Sequence, residues 1–233
     1  MYDIALIPGA AHNASSMWPL QTRDDALIHP INYERGNFNR QTLRMPYVLQ
    51  QYAVRVFEKV RALDRPLDLY AWSMGAPVSL GVAKIAEKHA PGLIRNIIMI
   101  TPGVFHGSPR RNFHKTPAYA FGLMFPPVQK TLRRSAAIRE IQQQLPEFNP
   151  EVADDTTAMM ESGDGVMRIP NSFDRSRIAL YYAPEDDIIP EDITLHVAKR
   201  AKITPVAVLG YGHELPLLDT DGSVLSHLRK EHP

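Results

Sequence analysis

The chain predicts an α/β protein, with a mostly parallel six-stranded sheet flanked by helices. Three observations lead there. Short apolar runs alternate with stretches of helical periodicity along most of the chain. The units repeat in the order strand then helix, the pattern of a parallel sheet with helices on both faces. The 233 residues, 44% of them hydrophobic, suffice for one such core plus an insertion.

Taken in order, Ile4-Ala5-Leu6-Ile7 reads as a buried strand closed by Pro8-Gly9, and Ala26 to His29 as a weaker second one. From Pro46, the residues Leu49, Tyr52, Ala53, Val56, Phe57, Val60 and Leu63 recur at helical spacing until Pro66 stops the pattern. Leu67 to Trp72 is the third strand. Ala76 to His89 follows as a helix with Val78, Val82, Ile85 and Ala86 on one side. Ile94 to Ile100 is the fourth strand, ended by Thr101-Pro102-Gly103. The alternation resumes with Ile178 to Tyr182, a helix from Glu191, the strand Val206 to Leu209 and a helix from Ser223. Residues 1–102 and 177–233 thus form the expected core.

The interval 103–176, after the fourth strand, breaks the rhythm and is expected to be a helical lid. Prolines 109, 117, 126, 127, 146 and 170 punctuate short helical stretches, and strand candidates are lacking. Val128 to Leu145 has a helical pattern. Asn149-Pro150-Glu151 suits a helix start, with Gly163 as a stop. The apolar residues Phe113, Tyr119, Phe121, Leu123, Met124 and Phe125 favour a packed lid over a linker.

Composition excludes several classes of chemistry. With no cysteine, disulfides, thiolate metal sites and cysteine nucleophiles are absent. A net charge of +1 exerts no overall pull on nucleic acid. The longest apolar runs are too short to span a bilayer, and no basic region precedes an apolar stretch at the N-terminus. The expectation is a cytoplasmic protein.

The strongest local signal is Ala71-Trp72-Ser73-Met74-Gly75, between a strand and a helix. A serine at so tight a turn projects its hydroxyl above the sheet, and residues two positions either side must be small. The alternative is a serine that merely caps the helix. Downstream, Ala183-Pro184-Glu185-Asp186-Asp187 places carboxylates after the fifth strand, where composition alone cannot choose among the three acids. Leu209-Gly210-Tyr211-Gly212-His213 places a histidine after the sixth. A serine, an acid and a histidine at carboxyl ends of strands suit nucleophilic catalysis at the edge where open α/β sheets bind ligands.

On these motifs the chain resembles the α/β-hydrolase superfamily over nearly its whole length, and carboxylesterases of the pimeloyl-carrier methyl esterase type in particular. Trp72-Ser73-Met74-Gly75 is similar to the nucleophile elbow of that group and of cofactor-free haloperoxidases, and Pro8-Gly9-Ala10-Ala11 to the superfamily's His-Gly oxyanion loop. Asp186 through Pro190 resembles the acid loop, and Gly212-His213 the histidine loop. Pro8 stands where histidine is usual. The two antiparallel strands that commonly precede the motif are absent, which implies a minimal six-stranded sheet. The resemblance implies a triad of Ser73, His213 and Asp186, with Asp186 chosen by the family pattern. It also implies backbone N–H donors at Ala10 and Met74, and hydrolysis of a carboxylic ester with no metal or organic cofactor. His12, Ala11 and Trp72 are candidates for the substrate pocket, with structural roles as the alternative. Tyr119, Phe121, Met124 and Phe125 either line an acyl pocket or bury the lid against the core.

Charge is unevenly placed. Between Gly103 and Arg139 stand seven basic residues and no acid, whereas Glu140 to Asp192 carries a net −10. Lys130, Arg133 and Arg134 share one face of a helical pattern. That face is either ordinary solvated surface or a patch for an anionic partner, such as an acidic acyl carrier protein or a carboxylate-bearing acyl substrate. The lead expectation is therefore an esterase acting on a small ester or acyl compound. Its rivals are a carbon–carbon hydrolase, lactonase or acyltransferase with the same triad, and a non-catalytic receptor on the same scaffold.

Overall fold

The computed structural model describes residues 2–9, 14–17, 26–33, 45–103, 173–186, 189 and 191–213. Its elements in chain order are β1 (Tyr2–Ile7), a 3-10 turn (Ala14–Met17), β2 (Ala26–Pro30), α1 (Met45–Arg61), β3 (Leu67–Trp72), α2 (Gly75–His89) and β4 (Ile94–Ile100). A second 3-10 turn (Arg175–Arg177), β5 (Ile178–Tyr182), α3 (Glu191–Ala201) and β6 (Pro205–Ala207) complete them. The lid expected over 103–176, with Tyr119, Phe121, Met124, Phe125 and the Lys130, Arg133 and Arg134 face, lies almost wholly outside the described residues. So does the helix expected from Ser223.

The six strands form one sheet in the order β2-β1-β3-β4-β5-β6, every pair parallel. After β2 the chain crosses back over β1 to add β3, and from there each strand extends the other side. The sheet therefore has its switch point between β1 and β3, the position at whose carboxyl edge open α/β sheets bind ligands.

Alternate residues along each central strand feed two separate cores. Ala5, Ile7, Leu69, Ala71, Ile97, Met99 and Leu180 face one side, where they pack with Tyr52, Val56 and Val60 of α1, Val78 and Val82 of α2 and Val197 of α3. Leu6, Tyr70, Trp72, Ile98, Ile100 and Tyr181 face the other, with Ala14 and Met17 of the first 3-10 turn. Burial on both faces is why these strands are apolar toward their carboxyl ends; Asp3, Asp68, Arg95 and Asn96 stand near their amino ends. The edge strands β2 and β6 are only partly covered, and their sequence signals are correspondingly weaker.

Two boundaries differ from the sequence reading. α1 ends at Arg61 rather than continuing to Pro66, because Ala62 to Asp64 tighten into a turn in which Asp64 has φ +52°. β6 covers Pro205–Ala207 instead of Val206 to Leu209. Leu209 is 72% exposed, and Gly210 at φ +80° turns the chain away from the sheet edge. Among the described residues no helix is long and apolar enough to cross a membrane.

Candidate active site

β3 ends at Trp72, and the chain turns so sharply into α2 that Ser73 has φ +50°. That conformation is strained for a residue with a Cβ and persists only where its surroundings hold it. Here the Ser73 N–H donates to the Ile100 carbonyl (3.1 Å), while the Ser73 carbonyl accepts from Ala76 N (3.0 Å) and Gly103 N (2.8 Å). The small neighbours have a steric cause. A Cβ on Gly75 would lie 2.4 Å from the Ile7 carbonyl oxygen and 2.9 Å from that of Pro8. A Cβ on Gly103 would lie 2.9 Å from Met74 N. Ala71 is wholly buried. The helix-cap alternative for Ser73 does not hold: Met74 occupies the cap position of α2, without a side-chain cap.

The Ser73 hydroxyl points instead to His213, with Oγ 2.9 Å from Nε2. On the other side of the ring, Nδ1 lies 2.8 Å from Asp186 Oδ2. A carboxylate can only accept, so Nδ1–H donates to it and leaves Nε2 as the acceptor for the serine hydroxyl. Asp186 and His213 are 7% and 6% exposed. The second carboxylate oxygen, Oδ1, accepts from Ile189 N at 2.7 Å, and Asp186 N donates to the Ala183 carbonyl at 3.1 Å. The carboxylate is thus held by its own turn as well as by the imidazole. Glu185 is exposed, and Asp187 lies outside the described residues.

The loop leaving β1 borders the same point. A Cβ built on Gly9 would meet Ser73 Cβ and the Trp72 ring, each at 3.1 Å. The Tyr33 hydroxyl donates to the Pro8 carbonyl at 2.9 Å. Burial holds that phenol well above its ordinary titration range, so it stays a neutral donor. Ala10, Ala11 and His12 lie outside the described residues; Met74 N follows Ser73 directly at the mouth of α2.

Trp72, a candidate for the substrate pocket, is only 2% exposed. Its indole Nε1–H donates to the His213 carbonyl at 2.9 Å, and its ring lies 5.9 Å from the imidazole, centroid to centroid. Thr101 went unnoticed in the sequence beyond closing a strand. It sits at φ +38°, and its hydroxyl donates to the same carbonyl at 3.1 Å. The available signal was a hydroxyl residue directly after a central strand, which is too common to single out.

Chemically, the arrangement pairs a strained, exposed-side hydroxyl with an imidazole that can take its proton. The buried carboxylate can stabilise the resulting cation. Among the described residues no group of three or more His, Asp or Glu could hold a metal ion.

A family model described as "Alpha/beta hydrolase family" matches residues 4–225. No curated protein matches the chain. Many solved structures share its fold. A structure from a study of carboxylesterases of Nitrososphaera gargenis superposes with a TM-score of 0.68 at 13% identity, covering 99% of this chain and 90% of its own. A hydrolase from Oleispira antarctica gives 0.66 at 15% identity, covering 99% and 91%. A putative non-heme bromoperoxidase from Mycobacterium tuberculosis H37Rv gives 0.63 at 14%, again covering 99% and 91%. At such identities the likeness is one of fold.

Proposed function

Because the chain belongs to the alpha/beta hydrolase family, we propose that it is a serine hydrolase that cleaves carboxylic esters through Ser73, His213 and Asp186. The observation that carries this reading is the continuous hydrogen-bonded chain from Ser73 Oγ through both ring nitrogens of His213 to a buried carboxylate. A receptor would have no use for a serine held at positive φ against an oriented imidazole.

In the proposed reaction Ser73 Oγ attacks the ester carbonyl as His213 Nε2 takes its proton. Asp186 keeps Nδ1 protonated and balances the imidazolium charge. The tetrahedral oxyanion needs fixed donors, which Met74 N and Ala10 N supply; losing one such donor costs about 10²–10³ in turnover. His213 then hands its proton to the departing alcohol, leaving an acyl ester on Ser73. Water attacks that ester by the same route in reverse, releasing the acid and restoring the serine.

The test is incubation with a fluorophosphonate probe, which phosphonylates an activated serine with loss of fluoride. Labelling of the wild type that disappears in Ser73→Ala is expected. A folded wild type that resists the probe would instead favour the non-catalytic receptor. A panel of short, long and methyl esters with lactones then separates esterase from lactonase. For the lid, charge reversal at Arg133 and Arg134 should raise KM for an anionic acyl substrate and spare a neutral ester.

A further inference from the structure

His213 reaches the serine from weakly anchored ground. Its loop follows β6, an edge strand of only three residues (Pro205–Ala207), and passes through exposed Leu209 and the positive-φ Gly210. Among the described residues, the last backbone bond that ties this stretch to β5 is from Val208 N–H to the Tyr182 carbonyl, at 2.8 Å, five residues before the imidazole. The restraint comes from elsewhere: the backbone carbonyl of His213 accepts both the Trp72 indole N–H, at 2.9 Å, and the Thr101 hydroxyl, at 3.1 Å. A carbonyl oxygen has two lone pairs, and these two donors match them.

We infer that Trp72 and Thr101 are positioning residues that clamp the His213 backbone so that its ring keeps both catalytic hydrogen bonds through turnover. The inference rests on the serine-hydrolase reading and adds to it two residues that act through the His213 backbone carbonyl. The donors stand at the carboxyl ends of adjacent strands: Trp72 closes β3, and Thr101 follows β4 directly. They therefore tie the loop that carries His213 to the centre of the sheet. The backbone of Thr101 supports the assignment. A β-branched residue at φ +38° is strained, and the position is held by its N–H donating to the Tyr181 carbonyl at 2.8 Å. Strain of this kind is kept where a side chain must point in one direction. The indole ring also stands near the imidazole, 5.9 Å between centroids at a 43° tilt.

Trp72→Phe keeps an aromatic ring and removes the donor, Thr101→Val keeps the shape and removes the hydroxyl, and Thr101→Ser restores it. The measurements are the rate constant for fluorophosphonate labelling and, on a methyl ester, kcat and KM, with melting curves giving the folded fraction. Each single loss leaves one donor, so each is expected to slow labelling only about threefold to tenfold. The double variant Trp72→Phe/Thr101→Val should fall about 10²-fold, at least as far as the product of the two singles, with the loss in kcat and little change in KM. Thr101→Ser should label at close to the wild-type rate. The inference is overturned if the folded double variant labels as fast as wild type, or if Thr101→Ser is as slow as Thr101→Val. Labelling of wild type that survives Ser73→Ala would instead bring down the serine-hydrolase reading, and this inference with it.

Discussion

Asp186 shows how much one side chain can be asked to do. Oδ2 accepts from the imidazole at 2.8 Å and Oδ1 from Ile189 N at 2.7 Å, so both oxygens are engaged as acceptors. Asn at this position could still accept from Ile189 N with its carbonyl, but it would then present an NH₂ group to Nδ1. The ring would have to adopt the tautomer that protonates Nε2, the wrong nitrogen for deprotonating Ser73. Asp186→Asn is therefore expected to lower kcat about 10⁴-fold with little change in KM. Asp187→Asn, one residue on, should leave ester turnover essentially intact. Steady-state kinetics on the two variants decides the assignment, and loss of activity in Asp187→Asn alone would reverse it.

Among elements, the contact of α1 with α2 sets how the serine turn is backed. Both helices pack on the same face of the sheet, and Gly81 of α2 lets them approach closely: a Cβ there would lie 2.6 Å from the Cβ of Ala53 in α1. Two effects oppose each other in Gly81→Ala. Alanine is the better helix former by about 1 kcal/mol, but overpacking against a Cβ that cannot rotate away costs about 1–3 kcal/mol. The clash should prevail, lowering the melting temperature. Ala53→Gly in the same chain should recover most of the loss. Thermal melts of the two single variants and the double form the required cycle.

At the scale of the sheet, the described residues also place ion pairs at the edge opposite the site. The site gathers at the carboxyl ends of the strands. At their amino ends, Asp3 of β1 pairs with His29 (2.9 Å) and Arg65 (3.5 Å), while Asp68 of β3 meets Arg95 (3.3 Å) and Asn96 (3.0 Å) of β4. The two acids respond to pH in opposite senses. The hydrogen bond from His29, aided by the nearby arginines, holds the Asp3 carboxyl below its ordinary 3.8. Its stabilising contribution is present above that value and is lost as pH falls through the folded one. Burial pushes Asp68 upward in spite of Arg95 and Asn96, so its protonated form is favoured by folding and stability declines as pH rises through that range. Urea midpoints measured from pH 6 to pH 2 should therefore show a shallower acid decline for Asp3→Asn and a steeper one for Asp68→Asn.

β3, β4 and β5 begin and end at the residues their sequence predicts, because most of their positions are buried on both faces and the few polar ones, Asp68, Arg95 and Asn96, pair with one another near the amino ends. The edge strand β6 and the end of α1 shifted by a few residues, where partial exposure and turn geometry outweigh hydrophobic pattern. Ser73, Asp186 and His213 were legible as candidates, since each follows a strand and carries side-chain chemistry of its own. Strand order was not, nor was the switch point between β1 and β3, because periodicity records which face is buried but not which strand lies alongside. Nor could sequence reveal that Trp72 and Thr101, 141 and 112 residues before His213 in the chain, share its carbonyl. A local pattern determines what each segment can become; hydrogen bonds between distant segments exist only once the sheet has brought their ends to one edge.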